Sequence, residues 1–290
     1  MNKMENDYKY LKEYIDQGAA TEGQLLIPRQ IYDVFIDEVS KTLLPRSEAG
    51  WYFGPAQIPG SSTDIDLDDV NTGKIRPTAE GAEFFLDRPT WSTTNIKPLK
   101  YGVAVRITEE MLEDAKWNML DRSVRTLGKR FAENETSLIL TALYGATNSV
   151  SGGAAITIAN ISRAIQYLED ADYEATTMYL GNEVASDIRQ IDTFMEAEKH
   201  GNDEVNRNGF LGVIYGMRLY RFSTNAAPST TYSKYAFVFD RAQAYAIAEK
   251  RPVTLKKFSL ETFDMEGAVL SQRIAVKLIR ALSAVTITTS

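Results

Sequence analysis

The residues best placed to bind an ion are four aspartates that lie close together in the sequence, between Asp64 and Asp69. Their alternate spacing from Asp64 onward matches the first ligand positions of an EF-hand calcium loop. However, Asp69 stands where such a loop needs glycine, and Ile75 stands where it needs a bidentate glutamate. The pattern therefore favours a solvated acidic loop tip that meets basic residues of a neighbouring molecule, with calcium binding as the weaker alternative. The candidate contact residues are Asp64, Asp66, Asp68, Asp69, Lys74 and Arg76.

Catalytic and cofactor chemistry have little support in the sequence. The chain has no cysteine and one histidine, which excludes disulfides, thiolate metal sites and multi-histidine metal clusters. His200 lies in a polar stretch that predicts an exposed loop. No phosphate-binding loop, dinucleotide fingerprint, nucleophile elbow or paired-histidine protease motif occurs. We therefore expect no cofactor, no metal and no enzymatic activity.

The composition predicts a folded chain with a substantial core. Of the 290 residues, 44% are hydrophobic, which is enough for two domains or one elaborate domain. The net charge of −7 argues against tight nucleic-acid binding, because such binding needs a basic face. No apolar run approaches the ~20 residues of a membrane span, and the first residues lack the order of a signal peptide. A soluble product made in the cytoplasm is expected.

The first half of the chain divides into a short helix and a long excursion. Apolar residues spaced by three and four predict a helix over residues 28–44. Residues 50–90 carry many glycines and prolines, with strand-like pieces at 51–53 and 83–86. This predicts a projecting two-stranded arm, which would need a partner because an isolated hairpin is only marginally stable in water.

A very long helix is the strongest local signal. Residues 90–108 are strand-like, and Thr108 followed by two glutamates predicts a helix start. An apolar stripe then continues to Tyr144, where Gly145 ends it. Basic and acidic residues on this helix predict a charged face towards solvent or another subunit, with nucleic-acid binding less favoured: Arg122, Arg125, Lys129, Arg130, Asp121, Glu133 and Glu135.

After Gly152 the pattern becomes an alternation of helices and strands. Helices are predicted from Asn160, as an N-cap, and over residues 182–194. Strands are predicted at 177–180, 216–222 and 235–240, followed by a strand-rich tail from 253 to 289. Together with the long helix, these elements predict an α+β chain.

In this order the elements resemble the major capsid protein of tailed viruses, bacteriophage or archaeal, with the HK97-like fold. The resemblance rests on the run Leu26, Ile27, Pro28 before a helix, on the extended excursion, and on the passage Val103 to Asp114 into the long helix. It implies an N-terminal arm and short helix (1–48), an extended loop (49–90) and a peripheral domain (91–151) whose spine helix covers about 108–144. An axial domain (152–250) and return strands of the peripheral domain (251–290) would follow.

The resemblance further implies a structural protein of the virion. Copies would assemble in the host cytoplasm as pentamers and hexamers of an icosahedral shell around double-stranded DNA, without sequence-specific DNA binding and without a membrane. Portal, scaffolding and decoration proteins are open as further partners. An encapsulin shell enclosing a cargo enzyme is the nearest alternative, and a soluble α/β enzyme that uses His200 or a carboxylate pair is a remote one.

Overall fold

The computed structural model describes residues 44, 46–68, 75–84, 86, 91–108, 110–111, 119–191, 210–260, 262 and 264–290. These residues form three β-sheets and three α-helices, which confirms the mixed helix and strand prediction for the described part of the chain. The helix predicted over 28–44 lies outside the described residues, apart from its last residue, Leu44. His200 also lies outside them.

A four-stranded sheet is built around two long antiparallel strands. Its strands in spatial order are β1 (Trp51–Phe53), β10 (Tyr245–Leu260), β11 (Met265–Leu278) and β4 (Leu99–Thr108). Strand β1 runs parallel to β10, and the other neighbours are antiparallel. The register between β10 and β11 shifts between Glu249 and Thr254, where Pro252 supplies no backbone donor.

Helix α1 (Met119–Tyr144) packs on this sheet and extends beyond it. Its 26 residues span about 39 Å at about 1.5 Å per residue. Val124 and Phe131 pack against Leu270 and other apolar residues of the four-stranded sheet. The end predicted at Tyr144 is confirmed. At the predicted start, the Thr108 hydroxyl accepts a hydrogen bond from the Met111 amide at 3.4 Å.

A six-stranded sheet forms the second layer. Its strands in spatial order are β5 (Asn148–Gly153), β12 (Ala284–Thr289), β9 (Tyr235–Phe239), β6 (Thr177–Leu180), β8 (Met217–Arg221) and β7 (Phe210–Ile214). All four residues of β6 are buried, because Met178 and Leu180 face one core while Tyr179 faces another.

Two helices cover one face of the six-stranded sheet. They are α2 (Ile158–Glu169) and α3 (Asn182–Arg189). The prediction of Asn160 as the N-cap of the first is wrong, since Thr157 caps it and accepts from the Asn160 amide. The Asn160 side chain instead donates to the Gly152 carbonyl at 3.1 Å.

The third sheet is a hairpin of β2 (Thr63–Asp68) and β3 (Trp91–Ile96), and it corrects the prediction for the arm. The expected partner strands were 51–53 and 83–86. Residues 51–53 instead join the four-stranded sheet, and no described residue of 83–86 is in a strand. The acidic run is therefore part of a strand, and the expected acidic loop tip is wrong for residues 64–68. The hairpin also extends beyond residue 90 to Ile96.

The strands of the C-terminal tail divide between the two larger sheets, which differs from the expected boundaries. A division at residue 250 cuts through β10, which begins at Tyr245. Strand β11 joins the four-stranded sheet, whereas β12 pairs with β5 and β9 in the six-stranded sheet. Alternation of apolar residues identified β12 as a strand but carries no information about its partner.

Candidate subunit interface

The β2–β3 hairpin presents one acidic face. Side chains alternate across a strand, so Asp64 and Asp66 lie on one side, with Asp68 at the next position of the same face. Asp64 accepts a hydrogen bond from Asn95 Nδ2 at 2.5 Å, and Asp66 accepts one from Thr93 Oγ1 at 3.0 Å. Both donors are neutral, so they orient the exposed carboxylates without compensating their charge.

Not every predicted contact residue lies on this face. Arg76 is described and exposed, while Asp69 and Lys74 lie outside the described residues. The hairpin thus places Asp64 and Asp66 of the predicted set on one face, and Asp68 belongs to the same strand.

The strand geometry argues against the calcium alternative. Side chains two residues apart on one face of a strand are separated by about 6–7 Å along it, whereas the ligands of a calcium loop converge on one point. Among the residues that the structure describes, no group of three or more acidic or histidine side chains could hold a metal ion.

The base of the hairpin is anchored in its own subunit. Ile65 is 7% exposed and Ile96 is 1% exposed, and both pack with Ile58 and residues of the four-stranded sheet. Lys250 donates to the Ile58 carbonyl, and Lys277 donates to the Asn95 carbonyl at 3.0 Å. The base of the hairpin is therefore part of the core of its own subunit.

The distal part of the hairpin has a different environment. Three large apolar side chains between the strands are almost fully exposed: Ile75 at 101%, Phe84 at 80% and Leu86 at 90%. Trp91, at the start of β3, is 65% exposed. Exposed apolar side chains concentrated in one segment are typical of a surface that another chain covers.

The face of helix α1 differs in part from the charged face predicted for it. Arg122, Arg125, Lys129 and Arg130 are exposed, as expected. Glu133 is instead buried and accepts from Arg130 at 3.0 Å, so the prediction that it is exposed is wrong. Glu135 is buried as well.

Glu135 belongs to an ion cluster around Arg46, in the 3₁₀ turn Arg46–Glu48. The Arg46 guanidinium donates to both oxygens of Glu135 at 2.7 Å and to Glu249 Oε2 of β10 at 3.1 Å. The second carboxylate also accepts from Tyr52 at 2.5 Å and from Gln272 at 2.9 Å. These partners are 89 and 203 residues away from Arg46 in sequence, so no local pattern could have identified the cluster.

The electrostatics of the Arg46 cluster favour its charged form. Burial alone would raise the pKa of Glu249, but Arg46, Tyr52 and Gln272 outweigh burial and hold that pKa below its ordinary value. Burial, together with the hydrogen bond to Glu249, raises the pKa of the Tyr52 phenol to about 12. A neutral phenol therefore remains the donor at physiological pH.

A second cluster surrounds Glu48 at the other end of the same turn. Glu48 is fully buried and accepts from Thr177 Oγ1 at 2.6 Å and from Tyr220 at 3.3 Å. Arg218 and Arg241 lie 3.4 and 3.9 Å from its oxygens. All four partners come from the six-stranded sheet or the turn that follows β9.

Comparison with known proteins places the chain in a family. A family model described as phage capsid protein matches residues 91–286, which is more than half of the chain. The chain belongs to this phage capsid protein family. No curated protein matches the sequence at a significant level.

Solved structures show that this capsid protein has the HK97-like fold. A structure from Microbacterium phage Oxtober96 superposes with a TM-score of 0.63 at 14% identity, covering 86% of this chain and 92% of that chain. The mature capsid of bacteriophage PhiM1 gives 0.62 at 11% identity, covering 84% and 86%. A virus-like particle from Pyrococcus furiosus gives 0.59 at 10% identity, covering 89% and 98%. The fold that the element order predicted is confirmed.

A capsid protein is a structural protein, and its buried carboxylate pair fits that role. Glu135 and Glu249 are both paired with Arg46, and their side chains are 2% and 5% exposed. The two carboxylates are buried and share the Arg46 guanidinium, so they form an internal ion cluster and not an acid and base in an open pocket. Within the described residues, no helix combines the length and apolar character needed to cross a bilayer.

Proposed function

We propose that copies of this capsid protein assemble as pentamers and hexamers into an icosahedral shell around packaged double-stranded DNA, in the cytoplasm of the host. The observation that carries this proposal is the β2–β3 hairpin, whose base is buried in its own subunit while its apolar tip is exposed. A neighbouring subunit that covers the tip would remove this apolar surface from water.

The described elements correspond to the parts of such a shell subunit. Residues between β1 and β3 form the extended loop, and the four-stranded sheet with α1 forms the peripheral domain. The six-stranded sheet with α2 and α3 forms the axial domain, which meets its copies around the symmetry axes. The proposed domain boundaries differ from those predicted from the sequence mainly because the last strand, β12, is assigned to the axial domain.

The acidic face of β2 is the proposed polar part of the contact. Asp64, Asp66 and Asp68 would meet basic residues of the adjacent subunit, and Asp69, Lys74 and Arg76 are further candidate contact residues. Such contacts give specificity and register more than affinity. The apolar tip residues would supply most of the binding energy.

The net charge of −7 suits a container for DNA. A wall that bound DNA tightly would hinder both packaging and release, and an acidic chain avoids this. Portal, scaffolding and decoration proteins are proposed further partners, with no assigned surface.

Electron microscopy of the purified full chain, with sedimentation at micromolar concentration, tests assembly. We expect closed shells or capsomers with five and six copies. A variant with serine at Ile75, Phe84 and Leu86 should remain a folded, unassembled subunit, whereas serine at exposed Leu282, outside the hairpin, is the matched control and should assemble. A wild-type chain that stays monomeric at all ionic strengths would contradict the proposal.

An encapsulin-type shell is the alternative proposal, and the virus-like particle from Pyrococcus furiosus is similar to this chain in fold. The two candidate shells differ in what they enclose, which is DNA in the viral shell and an enzyme in the encapsulin. Nuclease-protected DNA inside particles isolated from their natural source supports the viral shell, and a co-purifying enzyme in place of DNA supports the encapsulin.

A further inference from the structure

We call residue 44 together with residues 46–50 the clamp segment. Every second residue of it, at positions 44, 46, 48 and 50, contacts the body of the subunit. Leu44 is buried in the apolar core between the two larger sheets, and Arg46 and Glu48 enter the two ion clusters. The Gly50 amide donates to the Tyr245 carbonyl at 3.1 Å. A Cβ at Gly50 would lie 2.4 Å from the Ala242 carbonyl oxygen, so only glycine allows the chain to lie this close to the turn between β9 and β10.

The two charged residues of the clamp segment, Arg46 and Glu48, contact different sheets. Arg46 binds Glu249 of the four-stranded sheet and Glu135 of helix α1. Glu48 binds Thr177 and Tyr220, which lie on β6 and β8 of the six-stranded sheet. Arg46 and Glu48 belong to one turn of three residues, so a single short piece of backbone contacts both sheets through its side chains.

The rest of the contact between the sheets is mainly apolar and aromatic. Tyr179 of β6, Phe239 of β9 and Tyr245 of β10 pack with the end of helix α1. The hydroxyls of Tyr179 and Tyr245 are 3.0 Å apart and form a polar contact across the core. Apolar contact is non-directional and allows small sliding movements, whereas charge-assisted hydrogen bonds fix distance and angle.

The clamp segment also lies against one of the two short turns that connect the sheets, the other being the turn between β11 and β12. The turn from Asp240 to Ala244 joins β9 of one sheet to β10 of the other, and both Gly50 and Arg241 bring the clamp segment against it. A change in the angle between the sheets would require backbone rotations in such a short turn.

Loss of the clamp contacts would leave charges that the interior does not tolerate. Without Arg46, two buried carboxylates lose the cation that they share, and without Glu48 the buried Thr177 hydroxyl loses the acceptor that lies 2.6 Å away. Buried charge without a partner is strongly unfavourable, so water would enter and the sheets would separate at this edge.

We propose that the clamp segment is a conformational lock, which fixes the orientation of the four-stranded sheet relative to the six-stranded sheet through the Arg46 and Glu48 clusters. The lock is internal to one subunit and does not depend on the proposed assembly. When it is released, the apolar core holds the sheets together but permits a range of angles between them.

A pair of spin labels, one on each sheet, measures this angle directly. The chain has no cysteine, so Lys100→Cys on β4 and Arg163→Cys on α2 give two specific, exposed labelling sites. Labelled full-length chain is diluted in excess unlabelled chain, so that only distances within one subunit are recorded whether or not shells form. Pulsed electron resonance then gives the distance distribution.

The locked protein should give one narrow distribution. The double variant Arg46→Ala with Glu48→Gln should give a distribution broader by about twofold or more. Arg130→Ala is the matched control, because it removes a cation from the buried Glu133 within helix α1 and touches neither sheet contact. The control should keep the narrow distribution.

Two results would overturn the proposal: an unchanged width in the double variant, or the same broadening in the control. If the double variant does not fold, Arg46→Lys decides. This variant keeps the charge but loses the bidentate geometry, and it should still broaden the distribution relative to wild type. A wild-type width for a folded Arg46→Lys variant would then reject the lock.

Discussion

Single charged residues connect parts of this capsid protein that are distant in sequence. Arg46 is the clearest case, because its guanidinium binds Glu135 and Glu249 together. Such a cluster stabilises the subunit only when all of its charged members are present. Two buried carboxylates with a shared cation are compatible with the interior, whereas the same carboxylates alone are not.

Arg46→Ala should destabilise the unassembled subunit by about 3 kcal/mol at pH 7, since it leaves buried charge without a partner. The pKa of Glu249 is lowered in the folded wild type, so its contribution is present above the ordinary glutamate pKa and is lost as pH falls through the folded value. Urea unfolding of both proteins at several pH values measures the difference.

The difference between wild type and Arg46→Ala should therefore shrink as the pH falls from the ordinary glutamate pKa through the lower pKa of folded Glu249. Lys129→Ala, an exposed substitution on helix α1, is the control and should change stability by less than about 0.5 kcal/mol at any pH. A constant difference down to acid pH would show that Arg46 acts by packing rather than by charge.

At the scale of elements, helix α1 and the hairpin contribute to the subunit in opposite ways. The helix buries a continuous stripe along its length, from Val124 through Phe131 to Leu143. The hairpin buries only its base, at Ile65 and Ile96, and exposes its tip. We therefore expect the helix to determine stability and the hairpin tip to determine association.

Phe131→Ala in helix α1 should cost about 3–5 kcal/mol, because the ring is 6% exposed and its loss leaves a cavity beside Leu270. Lys129→Ala, two residues away on the exposed face, serves again as the comparison. Chemical unfolding measures both. Equal sensitivity at the two positions would mean that the buried face of the helix is assigned incorrectly.

Replacing residues 70–89 with a short turn should leave the subunit folded and abolish assembly, because the apolar tip is removed and both hairpin strands remain. Thermal unfolding and sedimentation measure the two effects separately. A larger deletion, of residues 60–80, also removes the buried Ile65 and should lower the melting temperature. Normal shells from the short-turn variant would reject the hairpin tip as the contact.

At the scale of the whole molecule, charge and fold have separate consequences. The net charge of −7 means that acidic side chains outnumber basic ones in the chain. The acidic face of the hairpin concentrates some of them on a projecting element. Its effect should therefore appear in association between subunits and not in the stability of one subunit.

Neutralising Asp64, Asp66 and Asp68 to asparagine should weaken assembly at low ionic strength and leave the melting temperature of the subunit nearly unchanged. The effect should fade near 1 M salt, where the screening length is about 3 Å. Light scattering during assembly measures both conditions. Unchanged assembly at low salt would show that the acidic face does not contact a neighbour.

The sequence alone determined those features that depend on neighbouring residues. The end of helix α1 at Tyr144 follows from its apolar stripe and from Gly145, and strand β6 follows from a short apolar run before a helix start. The order of such elements was enough to predict the family and its fold. The partners of each element were not determined in this way.

Only the tertiary structure decided which strands pair and which charges meet. Strand β1 joins β10, and β12 joins β5 and β9, although nothing in their residues specifies those partners. Burial of Glu133 and the Arg46 and Glu48 clusters were missed for the same reason. Periodicity and capping act over a few residues, whereas Arg46 and Glu249 are 203 residues apart and meet only when both sheets have formed.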